Sequence, residues 1–261
     1  MQKTPPEMYR KFAEIYDVVM RQIDYITWES HVTSLAKRWC PNMRDILSVA
    51  CGTGSLEVLL AQRDYNVFCL DLSEDMLRVA ERKFEVLPEK PPTKCACMTN
   101  FDLAKQFDVV LCLYDSLNYL TRPEQVQGAF ERAYVHLRPG GIYIFDVTTE
   151  YNILQHFAEY TFAENLDGYS YIWDNAYNIG TKLCTSEVTI FEEVEPGLYR
   201  RFNERHDQRM YANKDISRWL NQAGFKLQGI YDGFSIAPPK DHSERIHFVA
   251  QRPENDNEEG V

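Results

Sequence analysis

Short apolar runs alternate with amphipathic stretches through the first 150 residues, and the pattern changes character after that point. Residues 46–50 are apolar apart from Ser48, and residues 52–54 bring a Gly-x-Gly turn before 56–61 opens an apolar helix start. A second strand at 66–70 follows, then a helix over 74–84 with Ser73 as its candidate cap. Residues 107–113, apolar apart from Asp108, read as a continuous strand and 123–137 as a helix. Arg138-Pro-Gly-Gly141 reads as a turn and 142–147 as another strand. Continuous apolar strands separated by helices predict a parallel sheet buried on both faces. Right-handed crossovers then leave a crevice at the strands' carboxyl ends, lined by residues 51–54, Asp71, 114–118 and 146–148.

The flanks follow other rhythms. Met8, Phe12, Ile15 and Val19 share one helical face, and Trp28, Val32, Leu35 and Trp39 another. Both helices are expected to pack over the ligand edge of the sheet. Residues 160–211 alternate polar and apolar, broken at Asp167-Gly168, Asn178-Ile-Gly180 and Glu195-Pro-Gly197, which predicts a four-stranded antiparallel meander. A helix over 215–223 and strands at 225–231 and 246–251 end the fold as an antiparallel hairpin. The expected organisation is a helical cap (1–40), a core (41–150 and 212–252), a β insertion (153–211) and a disordered acidic tail (253–261).

The glycine turn at a strand's end leaves backbone bare where a nucleoside cofactor would lie. A dinucleotide is disfavoured, because Glu57 stands where a third glycine is wanted and would repel a pyrophosphate. Asp71, 17 residues after Gly54 and at the tip of the second strand, is placed to accept ribose hydroxyls; capping the next helix is its plainer role.

The order Ala50-Cys-Gly-Thr-Gly, Asp71-Leu-Ser-Glu-Asp-Met76, Phe107-Asp-Val-Val and Leu137-Arg-Pro-Gly-Gly141 resembles class I S-adenosylmethionine-dependent methyltransferases, over roughly residues 10–251. Phe12-Ala-Glu-Ile-Tyr-Asp17, Asp115-Ser-Leu-Asn-Tyr-Leu120 and the 204–211 stretch resemble a bacterial small-molecule-type group within them. The resemblance implies an α/β, Rossmann-like seven-stranded methyltransferase sheet and S-adenosylmethionine as cofactor, leaving S-adenosylhomocysteine as product. It places Ala50, Cys51, Gly52 and Gly54 at the cofactor's methionine end, with Tyr16, and with Tyr25 or Trp28, closing on it. It gives the ribose to Asp71, the adenine to Leu72 and Met76, and the far wall to Leu113 and Tyr114. Two positions depart from the family. Ser48 replaces an acidic residue on the first strand, and Cys97-Met98 replaces the acidic partner of the adenine amino group. Each lost hydrogen bond is worth about 0.5–1.5 kcal/mol, a weakening of binding rather than its loss.

Methyl transfer asks mainly for alignment and desolvation, with a base where the acceptor must lose a proton. His206, Asp115 and Tyr114 are the candidates for base and orienting roles. Their plainer roles are an ion pair across strands for His206 and a cap on the 116–120 turn for Asp115. In the insertion, Tyr169, Tyr171, Trp173, Tyr199, His206 and Tyr211 are candidate linings of an acceptor pocket, and the same aromatic strands would equally make a homodimer interface.

Composition narrows the partners. A net charge of −11 and a pI near 5.1 disfavour nucleic acid, whose phosphates ask for a basic face. Arg200, Arg201, Arg205 and Arg209 are interleaved with Glu204 and Asp207, the pattern of a self-paired strand. No apolar run approaches the ~18 residues of a membrane span. Seven cysteines with no Cys-x-x-Cys pair fit a reducing cytoplasm, and no metal is expected at Cys95 and Cys97. Three functions remain: a small-molecule methyltransferase, a tRNA or protein methyltransferase, and a non-catalytic cofactor-binding or scaffold protein.

Overall fold

In the computed structural model, which describes residues 9–254, α1 (Phe12–Val19) and α2 (Tyr25–Lys37) precede β1 (Asp45–Val49). Then come α3 (Ser55–Gln62), β2 (Asn66–Asp71), α4 (Glu74–Phe84), β3 (Thr93–Cys95), β4 (Phe107–Cys112), α5 (Pro123–His136) and β5 (Leu137–Thr148). After α6 (Glu150–His156) run β6 (Thr161–Leu166), β7 (Tyr169–Asn178), β8 (Leu183–Glu195) and β9 (Leu198–Arg209). The chain closes with α7 (Asn213–Gln222), β10 (Lys226–Asp232) and β11 (Arg245–Gln251).

Seven strands form one sheet in the order β10-β11-β5-β4-β1-β2-β3, with β6 to β9 a separate meander. β1 to β5 pair in parallel, while β11 runs antiparallel to β5 and to β10. The expected architecture, insertion and terminal hairpin included, is the observed one. On one face α5 and α7 bury Phe130, Phe145, Phe248 and Leu220 against the sheet; on the other α2, α3 and α4 bury Val32, Leu35, Leu60, Phe84 and Ile144. The alternation at the strand ends, reversing direction between β1 and β4, is what opens the crevice there.

The structure departs from the local reading at three points. The 138–141 segment is no free turn: β5 begins at Leu137 and bulges, so that Phe107 opposes Leu137 and Val109 opposes Ile142. The bulge is held because the Gly140 amide donates to Arg252 and the Arg252 amide donates to Gly141. Helix α6 carries too short an apolar period to be read from sequence and is started by the Thr149 hydroxyl accepting from the Asn152 amide. Helix α1 covers the ligand edge and α2 lies along a face of the sheet, reaching that edge with Tyr25 and Trp28 of its first turn, while Trp39 falls beyond its end. Met8 and residues 255–261 lie outside the described residues. Among the described residues no helix is long and apolar enough to cross a membrane.

Candidate active site

The glycine loop joins β1 to α3 in a sequence of left-handed residues: Ala50 (φ 57°), Gly52 (57°) and Gly54 (73°). The two glycines are required for different reasons. A Cβ on Gly52 would meet nothing within 4 Å, so its bare face opens on space. A Cβ on Gly54 would lie 2.8 Å from the Phe84 ring and 2.9 Å from Ala80, so this glycine is required for the close approach of α4. Gly54→Ala is therefore expected to destabilise the fold by about 2–4 kcal/mol through strain and overpacking. Gly52→Ala is expected to cost about 1–2 kcal/mol of backbone strain while weakening cofactor binding. Urea midpoints and titration with S-adenosylhomocysteine separate the two.

Asp71 ends β2 directly beneath this loop. One carboxylate oxygen accepts from the Gly52 amide and the other from the Ser73 amide, both at 2.8 Å. Burial raises its carboxyl, against the pull of the Ser73, Gly52 and Leu72 amides. Each oxygen keeps a further lone pair. The helix after it is capped by Ser73 itself, whose hydroxyl accepts from the Met76 amide. Leu72 stands exposed beside the loop while Met76 is buried. Cys97 sits with its sulfur 3.1 Å from the Thr99 hydroxyl, and Met98 packs against the core.

Behind the loop, the missing acidic residue of β1 has a neighbour that sequence alone did not connect. The Ser48 hydroxyl donates to Glu57 at 2.6 Å, and Glu57 is buried on the first turn of α3. In front of it, Asp17 of α1 accepts from the Thr53 hydroxyl at 2.7 Å and pairs with Lys83 at 2.6 Å.

The turn after β4 is strained and buttressed. Tyr114 and Asp115 both have positive φ, 63° and 49°, a costly conformation for such residues. Fully buried Asp146 holds both, accepting from the Tyr114 amide at 2.6 Å and the Asp115 amide at 2.9 Å. Arg245 of β11 bridges Asp146 and Asp115. Its guanidinium lies 5.1 Å from the Tyr114 ring centroid and 5.4 Å from that of Trp28. Gln208 of the insertion donates to the other Asp115 oxygen at 2.6 Å. The Asp115 side chain thus turns to Arg245 and Gln208 and does not cap the 3-10 turn Ser116–Tyr119. Burial raises its carboxyl, with Arg245 opposing. Leu113 is buried beside Tyr114, and Trp28 (4.8 Å) and Tyr25 (6.3 Å) bring their rings to Tyr114.

Helix α1 closes the site from above and is gripped by the insertion. Phe12, Ile15 and Val19 pack on Tyr171, Val188 and Ile190. Glu204 of β9 accepts from the amides of Tyr9, Arg10, Lys11 and Phe12 at 2.7–3.1 Å. Tyr16 lies within this cluster, its phenol raised by burial and by Tyr25, Tyr119, Asp115 and Tyr114 around it. His206 is buried beside Tyr9, with ring centroids 4.7 Å apart. Its Nε2 is 3.5 Å from Glu204, an ionic separation, and neither ring nitrogen has a hydrogen-bond partner.

Of the other aromatic residues of the insertion, Tyr171 and Trp173 face inward, Tyr169 donates to Glu14 at the rim, and Tyr199 is exposed. Tyr211 leaves the roof and lines a separate cavity of about 680 Å³ with Lys182, Arg209, Trp219 and Lys240. Arg201 and Arg205 point outward, donating to Asn203 and Asp207.

A bare glycine loop, a carboxylate at the tip of the second strand and a strained turn after the fourth define a nucleoside-cofactor site in a doubly wound α/β fold. A family model described as a methyltransferase domain matches residues 46–141. A Geobacillus protein assigned to the methyltransferases is 35% identical over 246 residues, 94% of this chain and 99% of its own. The crystal structure of an S-adenosylmethionine-dependent methyltransferase from Clostridium acetobutylicum superposes with a TM-score of 0.82 at 30% identity, covering 94% of this chain and 99% of that one. A Streptomyces fradiae dTDP-3-amino-3,6-dideoxy-alpha-D-glucopyranose N,N-dimethyltransferase is 31% identical over 140 residues, 52% of each chain. The chain belongs to the S-adenosylmethionine-dependent methyltransferases. The residues present fit that cofactor: Gly52 leaves an open cradle and Asp71 free lone pairs beside it.

Proposed function

We propose that this enzyme methylates a small-molecule acceptor, with nitrogen as the receiving atom, in a chamber between the 114–119 turn, α1 and the insertion. The observation that carries the reading is the orientation of the meander. Its aromatic and apolar side chains, Tyr171, Trp173, Val188 and Ile190, turn inward onto α1, and its polar ones, Asp174, Glu187, Arg201, Asn203 and Arg205, turn to solvent. That supports a water-excluding roof rather than a basic cleft for RNA or a groove for a peptide. The amino-sugar specificity printed for the Streptomyces fradiae relative supports nitrogen.

The cofactor supplies an electrophilic methyl group. Ala50, Cys51, Gly52, Asp71, Leu72, Met76, Cys97, Met98 and Leu113 line its place, and Tyr16 and Tyr114 enclose the reacting end. Of the three candidate groups, Asp115 is committed to Arg245 and Gln208, and burial holds the Tyr114 phenol protonated, suiting it to orient the acceptor. His206 has no hydrogen bond at Nδ1 among the described residues and has Glu204 3.5 Å from Nε2, which suits the ring to receive the acceptor's proton with the carboxylate beside it to stabilise the imidazolium. Seven free thiols fit a cytoplasmic setting.

Product formation from S-adenosylmethionine, measured against amino-sugar nucleotides, free amines, tRNA and lysate protein, tests the reading. Turnover with small amines supports it, and turnover confined to RNA or protein overturns it. His206→Asn is expected to lower turnover at least about 100-fold with S-adenosylhomocysteine affinity unchanged.

A further inference from the structure

Glu57 combines three features that its place in the sequence does not explain. It is 3% exposed. One of its oxygens accepts from Ser48 at 2.6 Å, and Ser48 stands where the sequence resemblance leads one to expect an acidic residue on the first strand. Its other oxygen is buried and has no hydrogen-bond partner. A buried, half-satisfied carboxylate costs free energy unless something else answers it. The surrounding charges do not: Lys83 of α4, the nearest cation acting on it, is hydrogen-bonded to Thr53 and Ser55 and paired with Asp17 of α1. Asp71 of β2 repels it, and Cys51 of the glycine loop, Cys69 of β2 and Tyr25 of α2 are neutral neighbours.

We propose that Glu57 is the relocated acidic group of the glycine loop, and that its unpartnered oxygen receives the ammonium of the cofactor's amino-acid end. The carboxylate behind the loop then comes from α3 in place of β1. This rests on the cofactor reading of the site.

A pH dependence follows. Burial pushes the Glu57 carboxyl up to about 7, with Ser48, the helix amide and Lys83 opposing. Only its ionised form attracts an ammonium strongly, so cofactor affinity rises with pH through neutrality. In the ligand-free protein the sign is opposite: the unfolded chain ionises Glu57 earlier, so its contribution to stability is present at low pH and lost as pH rises to about 7.

The test uses two ligands of the intact protein, S-adenosylhomocysteine and 5′-methylthioadenosine, which keeps the nucleoside and lacks the amino-acid end. Glu57→Gln is expected to weaken the first about tenfold or more and leave the second within about twofold of wild type. Wild-type affinity for S-adenosylhomocysteine is expected to grow between pH 6 and 8, and that of the variant to stay flat. The reciprocal exchange, Ser48→Asp with Glu57→Ser, is expected to recover S-adenosylhomocysteine binding. Equal weakening of both ligands by Glu57→Gln, or no weakening of either, overturns the proposal while leaving the cofactor reading intact. So does a reciprocal variant that binds 5′-methylthioadenosine but not S-adenosylhomocysteine. A wild-type protein that binds neither ligand overturns the cofactor reading beneath it.

Discussion

Arg245→Leu is expected to destabilise the folded chain by about 3–5 kcal/mol, the cost of leaving buried charge without its partner. Asp146 is fully buried, Asp115 is partly buried with 19% of its side chain exposed, and Arg245 is the cation between them. Without it two carboxylates face each other in a low-dielectric site, and Asp146 must still accept the amides of Tyr114 and Asp115. The left-handed pair at 114–115 depends on those bonds, so the turn and the Trp28–Tyr114 packing should loosen together. The deficit has a definite pH signature. Burial already raises the Asp115 carboxyl and Arg245 opposes it, so in the variant Asp115 binds a proton more readily and the gap in urea midpoint narrows as pH falls. Arg245→Lys keeps the charge but not the two-pronged geometry and should lose less. A gap that is constant with pH would mean that lost packing of the guanidinium, not charge, sets the cost.

The elements whose signals are local could be read from the sequence. Ser73 followed by an apolar period gives α4 at Glu74–Phe84, and the three glycine turns of the insertion divide it where β6 to β9 divide. A hairpin register follows from its turn and its alternation, with nothing needed from the rest of the chain. The glycine loop and Asp71 were legible for the same reason, because a strand, a bare turn and a strand-tip carboxylate lie within 26 residues, 46–71. What was not legible is long-range polar pairing. Glu57 looked like an argument against pyrophosphate, and only the folded distance to Ser48 makes it half of a pair. Arg245 reaches Asp115 across 130 positions and Glu204 reaches Tyr9 across 195, and no periodicity reports such contacts. The bulge in β5 was misread because Pro-Gly-Gly signals a reversal, whereas Arg252 supplies the backbone partners that keep the segment in the sheet.

Glu204→Ala is expected to release helix α1 and to cost about 2–4 kcal/mol, since four amides lose a charged acceptor that no other group replaces. The helix cannot compensate locally: its own cap position, Lys11, offers no side-chain acceptor, and the segment 9–12 has Glu204 as its anion. A carboxylate at a helix N-terminus also meets the positive end of the helix dipole, so charge as well as hydrogen bonding is lost. Burial acts to raise the Glu204 carboxyl, but His206 and the amides of Phe12 and Tyr9 outweigh it and hold the group below its ordinary range. Its stabilisation is therefore present above the unfolded value, about 4.3, and is lost as pH falls through the lower folded one. Hydrogen exchange should report the effect first at the amides of residues 9–12, then at the glycine loop, because Asp17 at the other end of α1 holds Thr53 and Lys83. Glu204→Gln keeps one acceptor and should fall between wild type and Ala, with its deficit shrinking as pH falls through the lowered folded value of the wild-type carboxyl. If exchange in the 9–12 segment is unchanged in Glu204→Ala, then apolar packing of Phe12, Ile15 and Val19 on the insertion holds the helix unaided, and the closure of the site over the cofactor owes nothing to this carboxylate.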